Sequence, residues 1–173
     1  MAAPLPRPAT LSVELPDEAA TAALARSLAA RAALGDVIAL FGDLGSGKTA
    51  FARAFINALP RPARETGAPA AAEEEVPSPT FTLLQTYERE PAPVWHFDLY
   101  RVERPEEVYE LGFEEASGHA IVLIEWAERL GPLLPADRIE VRLDFADDPG
   151  ARRASLVATR SWRGRLEGLA RHG

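Results

Sequence analysis

The sequence predicts an α/β fold, a mixed β-sheet flanked by helices, forming one domain over residues 1–173. Three observations carry that expectation. Asp36–Phe41 (DVIALF) is a continuous apolar run of the kind found in strands covered on both faces, and it leads through a glycine-rich loop into an amphipathic helix at Lys48–Leu59. Ala120–Trp126 (AIVLIEW) is a second such run, while other segments alternate or form a hairpin, so the sheet should be mixed. At 173 residues, with 47% apolar and 26% charged residues, the chain suits one ordinary globular unit.

Each element follows from a local signal. Thr10–Leu15 alternates apolar and polar residues and reads as a short strand. Asp17 is a candidate N-cap for the next helix, whose stripe is Leu24, Leu28, Ala32 and Leu34, with Gly35 as its stop. The helix from Lys48 places Phe51, Phe55 and Leu59 at i, i+4 and i+8. Between Pro60 and Pro79 the pattern dissolves into a Pro/Ala/Glu-rich stretch, expected to form a mobile surface loop at 60–79 with Glu73–Glu75 as a solvated tip. Thr80–Tyr87 and Val94–Tyr100 read as strands joined by a turn around Glu90–Pro93. Pro105–Leu111 begins a helix, with proline at an early position. Arg138–Phe145 and Ala154–Thr159 form a hairpin through Asp147–Gly150, and Trp162–Arg171 is the last helix.

Composition removes several classes. There is no cysteine, so disulfide scaffolds and thiolate metal sites are excluded. Three scattered histidines do not suggest a zinc site. The N-terminal residues lack the apolar core of a secretory signal, and no apolar run approaches the ~18 residues of a membrane span. A cytoplasmic protein with no membrane association is expected. The net charge of −7 argues against unaided binding to nucleic acid, whose affinity comes from clustered Lys and Arg. Arg152, Arg153, Arg160, Arg163 and Arg165 could form a basic strip, but the simpler reading is a solvated edge strand and helix.

The chemistry sits in Gly42–Thr49 (GDLGSGKT), which matches G-x-x-x-x-G-K-[ST]. Glycines let successive N–H groups turn into one concavity, and the helix start adds partial positive charge, so phosphates settle there. Lys48 should reach the β- and γ-phosphates of ATP, and the Thr49 hydroxyl should ligate Mg2+. Lys48 is also the only lysine beside 18 arginines. A chain that uses arginine elsewhere and lysine here points to a need for a compact charge on a thin stem. The fold expected is therefore that of a P-loop NTPase.

Such a site needs an acidic residue at the end of another strand. Asp98 follows Val94–Phe97 and Glu125 follows Ala120–Ile124, and a carboxylate after such a run is costly to bury unpaired. The alternatives are a surface turn for Asp98 and a salt bridge for Glu125. Thr80 could offer its hydroxyl to the γ-phosphate or its metal, as switch loops do, or simply start a strand. His96 shares a face with Asp98 and is more simply a satisfied core histidine. Trp126 reads as core or partner contact, and Asp43 as positioning water or holding the turn.

GDLGSGKT, SPTF (Ser78–Phe81), HFDLYR (His96–Arg101), ELGFEE (Glu110–Glu115) and LIEWAERL (Leu123–Leu130) occur in this order. Together they resemble the bacterial TsaE family (also called YjeE), over about residues 10–145. The resemblance implies the ATPase subunit of the complex that installs threonylcarbamoyl on adenosine 37 of tRNAs reading codons that begin with A. It implies that Gly45, Ser46, Gly47, Lys48, Thr49 and Ala50 wrap the phosphates, and that Thr49 and Glu125 ligate Mg2+. It makes Asp98 the Walker B-like acid, Thr80 the switch residue and Ala19 an adenine contact, with Trp126 shaping the cleft. Partners of the TsaD and TsaB type would carry the transfer chemistry and grip tRNA, which this chain would meet only indirectly.

With no intrinsic arginine finger evident, hydrolysis should be slow alone and stimulated by partners. The Pro60–Pro77 insert departs from the family's compact connection, and the tail beyond residue 150 carries no family motif. A small-metabolite kinase and a nucleotide-gated binding module without turnover remain as rivals. A GTPase of the usual kind is excluded, because Asn57 is the only asparagine and no Asn-Lys-x-Asp segment exists.

Overall fold

A computed structural model describes residues 8–62 and 74–170. Its strands are β1 (Ala9–Leu15), β2 (Val37–Phe41), β3 (Leu84–Tyr87), β4 (Val94–Asp98), β5 (Ile121–Glu125), β6 (Ile139–Phe145) and β7 (Arg152–Ala158). They form one sheet in the order β1-β7-β6-β2-β5-β4-β3. β2 and β5, buried at every residue, lie side by side at its centre. Parallel pairing joins β2 to β5 and β6, and β4 to β5, while β1–β7, β6–β7 and β3–β4 pair antiparallel. The C-terminal ends of β1, β2, β4, β5 and β6 therefore share one edge with the start of β7, where ligands of open α/β sheets bind.

Alternation along the strands divides the core in two. Ile38, Leu40, Leu123 and Val141 face α1 (Glu18–Ala29), α2 (Lys48–Ala58) and α4 (Arg160–Ala170), which contribute Leu24, Phe51, Phe55 and Trp162. Val37, Ala39, Phe41, Phe97 and Ile124 face the opposite layer. That layer is built from 3-10 turns at Pro105–Leu111 and Ala127–Leu133 and the short α3 (Phe113–Ala116). Phe51 and Phe55 are fully buried, each contributing about 1.5–3 kcal/mol.

Several expected boundaries shift for local reasons. The Asp17 carboxylate does cap α1, accepting from Ala20 N at 2.8 Å. The helix ends at Ala29, however, and Leu34 is exposed rather than part of the stripe. Thr80–Leu83 is a turn, not strand: Leu83 N donates to Pro79 O at 2.6 Å, and Leu83 adopts φ 65° before β3 begins. The helix at Pro105–Leu111 is 3-10 and ends at Gly112, which takes φ 78°.

Of the expected loop at 60–79, residues 63–73, including Glu73, lie outside the described residues. Of the expected solvated tip, Glu75 is exposed, but the residues on either side of it are anchored. Asn57 exchanges two 3.1 Å hydrogen bonds with the Glu74 backbone, the Glu74 carboxylate accepts from Arg89, and Val76 is fully buried. Residue 171, assigned above to the last helix, is also outside the described residues. Among the described residues no helix is long and apolar enough to cross a membrane.

Candidate functional site

The loop after β2 takes backbone conformations that L side chains rarely adopt. Gly42 has φ 137°, and a Cβ there would sit 2.4 Å from Leu143 O and 2.5 Å from Ser46 Oγ. Gly47, at φ 107°, hands the chain to α2. Lys48, the first residue of that helix, is buried, with its Nζ donating to Gly42 O at 2.5 Å and Asp43 O at 2.9 Å. Trp126 adopts φ 58° just after β5, and its ring centroid lies 3.9 Å from Nζ. Burial pushes the Lys48 pKa down, while Glu125, Glu128, Asp98 and Asp43 oppose the shift.

Opposite the loop stand two carboxylates. Asp98 and Glu125 end neighbouring parallel strands as direct register partners, so their side chains share a face of the sheet. Both are buried. Glu125 Oε2 accepts from the Thr49 hydroxyl at 2.9 Å, and Oε1 lies 2.9 Å from His96 Nε2. Asp98 Oδ2 accepts from both Ser78 Oγ and Thr80 Oγ1 at 2.9 Å, and Oδ1 accepts from Tyr100 N at 3.0 Å. Asp98 is thus not on a surface turn, and among the described residues Glu125 pairs with His96 and with no Lys or Arg. A cavity of about 280 Å³ joins Gly45, Gly47, Lys48, Thr49 and Ala50 to Thr80, Asp98, Glu125 and Trp126. Ser46 is fully buried beneath it.

His96 differs from the simpler expectation. It is fully buried, but its Nε2 serves Glu125, and its Nδ1 has no partner among the described residues. A carboxylate accepts, so Nε2 carries the proton in this arrangement. Trp126 is half-buried, packs against the edge of the core and lines the cleft, with its ring tilted 49° to Tyr100 at a centroid distance of 4.9 Å.

A second cavity, about 370 Å³, lies between the loop and the N-terminus of α1 and is lined by Asp17, Glu18, Thr21, Gly47 and Arg152 among others. Ala19 is exposed on the first turn of α1, whereas its neighbours Asp17, Glu18 and Thr21 line that cavity. Two arginines expected to be solvated are embedded in hydrogen bonds. Arg165 holds buried Asp36 through both carboxylate oxygens at 2.6 and 2.8 Å, and Arg152 reaches the glycine-rich loop. Ser78 was also missed as a site residue, although its spacing from Thr80 in SPTF is visible. Arg152 had no sequence signal, because its contact with the loop appears only once β7 is placed beside β6.

For a divalent cation, the donor set is informative. Among the described residues no group of three or more His, Asp or Glu could hold a metal by itself. Thr49 and Glu125 offer hard oxygen donors side by side, which suits Mg2+ completing its shell with water and phosphate rather than a closed protein cage.

A glycine-rich loop between a buried parallel strand and a helix, facing strand-end carboxylates, defines a P-loop NTPase fold, the nucleotide-binding class. Residues 15–154 match the family model described as "Threonylcarbamoyl adenosine biosynthesis protein TsaE". The chain belongs to the TsaE family. It is 40% identical to the tRNA threonylcarbamoyladenosine biosynthesis protein TsaE of Rickettsia felis over 85% of this chain and 80% of that one. With the Bacillus subtilis protein of the same name it shares 36% identity, over 74% and 73% of the two chains. The crystal structure of Bacillus subtilis YdiB superposes with a TM-score of 0.73 at 28% identity, covering 95% of this chain and 97% of that one.

Proposed function

We propose that this chain is the cytoplasmic, Mg2+-dependent ATPase subunit of the machinery that installs threonylcarbamoyl on adenosine 37 of tRNA, acting with subunits of the TsaD and TsaB type. The observation that carries this reading is the Glu125 carboxylate, held between Thr49 and His96 across the cleft from the glycine-rich loop. In this reading the N–H groups of Gly45–Ala50 cradle the phosphates, and Lys48 leaves its carbonyl partners to reach the β- and γ-oxygens. Thr49 and Glu125 would hold Mg2+, which when bound neutralises charge on the phosphates. Asp98 orients Thr80 toward the γ-phosphate and keeps Ser78 beside it. Water then attacks in line, with Lys48 stabilising the charge that develops. Ala19 and its neighbours on α1 would pass near adenine.

Hydrolysis by the purified chain, measured alone and with the partner subunits plus tRNA, tests this. Slow activity that rises in the complex and is lost in Lys48→Ala supports the proposal. Activity indifferent to partners but dependent on a small phosphate acceptor would establish a kinase instead. Binding without turnover under every condition would establish a nucleotide-gated module.

A further inference from the structure

A loop that turns its N–H groups onto an anion turns carbonyls outward, and those carbonyls need partners. Arg152, the first residue of β7, supplies them. Its Nε donates to Ser46 O at 3.1 Å and its Nη2 to Gly45 O at 3.1 Å. Its Nη1 donates to Pro149 O at 2.9 Å and Ala151 O at 2.7 Å. The guanidinium rests on Phe145, 4.5 Å from the ring centroid. Four hydrogen bonds thus go to backbone carbonyls, and among the described residues none goes to a carboxylate. Arg152 is held there by register, facing Phe145 of β6 on one side and Leu15 of β1 on the other.

We propose that Arg152 is a positioning residue for the phosphate loop, clamping its outer carbonyls so that its inward N–H groups stay aligned on the nucleotide. The inference rests on the reading that Gly42–Thr49 bind nucleotide phosphates. The peptide that offers Ser46 O to Arg152 carries the Gly47 N–H on its other side. A cation on that oxygen draws electron density from the amide and makes Gly47 N–H a stronger donor. The rigid planar fork reaches the two consecutive carbonyls from two separate nitrogens held in one plane, an arrangement a lysine on this strand would not reproduce. The loop is otherwise poorly restrained on this side, since Gly45 is exposed and nothing lies within 4 Å of the position its Cβ would take.

Binding of ADP with Mg2+ to the full-length chain, followed by calorimetry, tests the clamp in Arg152→Ala, Arg152→Lys and Lys48→Ala. Loss of charge-assisted hydrogen bonds predicts an about tenfold or greater rise in Kd for Arg152→Ala. Arg152→Lys, which keeps the charge without the fork, should fall between that variant and the wild type. In the partner-stimulated assay, KM for ATP should rise by a larger factor than kcat falls, because the contact acts on binding rather than on the reacting atoms. Wild-type affinity in Arg152→Ala, with binding abolished in Lys48→Ala, overturns the clamp and leaves the nucleotide site standing. Unchanged binding in Lys48→Ala overturns the nucleotide reading itself, and the clamp with it. Should Arg152→Ala fail to fold, Arg152→Lys decides, and wild-type affinity there refutes the need for a fork.

Discussion

Replacing His96 with Leu should uncouple Glu125 from its support while leaving the fold intact. Glu125 is buried, and among the described residues its carboxylate makes two hydrogen bonds, to Thr49 and His96, each 2.9 Å long. Removing the His96 donor frees Oε1, and a hydrogen bond to a charged group carries about 1.5–3 kcal/mol. That is about a ten- to hundredfold effect. Two stability terms oppose each other. Leaving the carboxylate oxygen unpaired costs about 1–3 kcal/mol, but the unpartnered Nδ1 of the wild type disappears, recovering a penalty of similar size. Melting should therefore shift little, and the loss should appear as a raised Mg2+ requirement. The assay is ATP hydrolysis in the partner complex across a Mg2+ titration, with nucleotide affinity and thermal melting measured in parallel. His96→Gln restores an N–H donor near the Nε2 position and should recover part of the response. If the Leu variant titrates Mg2+ as the wild type does, or the Gln variant behaves as the Leu variant, His96 does not position Glu125.

Gly42→Ala should abolish nucleotide binding, because the obstructing Leu143 O belongs to the backbone and cannot swing away. Gly45→Ala, with φ 79° but open space around it, should cost only the about 1–3 kcal/mol of backbone strain. Tyr87→Phe should stabilise the chain by about 1 kcal/mol in urea titrations, since its hydroxyl is buried without a partner among the described residues. Burial, the larger cause, and Glu74 both raise the Tyr87 pKa, so the unfolded chain ionises first. The stability this confers is present below pH 10.0 and lost as pH climbs toward the higher folded value, and that alkaline loss should shrink in the Phe variant. Arg165→Ala breaks the bidentate pair with Asp36 that ties α4 to the start of β2. It should cost about 1–3 kcal/mol, discounted for the partly exposed guanidinium, without changing nucleotide affinity at temperatures where the chain is folded.

The site was legible wherever its chemistry is local in sequence. Gly42–Thr49 announces itself because its motif is one continuous piece of backbone. Asp98 and Glu125 stood out because each ends an apolar run, and burying a carboxylate demands partners. What could not be read is what those partners are. His96 was separable from a core histidine only once the β4–β5 register, pairing Asp98 with Glu125, brought the His96 ring diagonally within 2.9 Å of Glu125. Thr80–Leu83 alternates well enough for a strand, and a turn bond from Leu83 to Pro79 overrides that preference. The arginines near the C-terminus carry the same composition whether solvated or embedded. Arg152 and Arg165 lock onto carbonyls and Asp36, whereas Arg153 makes an exposed pair with Glu14 and Arg163 a half-buried one with Glu167.

The single lysine admits one further test. Nζ of Lys48 fits between two carbonyl oxygens, at 2.5 and 2.9 Å, and the Trp126 ring, 3.9 Å away. The carboxylates beyond it are occupied by other partners, namely Thr49 and His96 on Glu125, and Ser78, Thr80 and Tyr100 N on Asp98. A guanidinium keeps the charge but is planar and broad, so it would have to displace the Trp126 ring or the Gly42 carbonyl. Charge alone would make Lys48→Arg a mild change, whereas shape makes it as damaging as Lys48→Ala. The geometry favours shape, because both walls are fixed, one by the left-handed Trp126 turn and the other by Gly42 packed on Leu143. Calorimetric titration with ADP and Mg2+ separates the two. Affinity in Lys48→Arg within about threefold of wild type, a difference under about 0.7 kcal/mol, would show that charge suffices and that confinement of the ammonium does not matter.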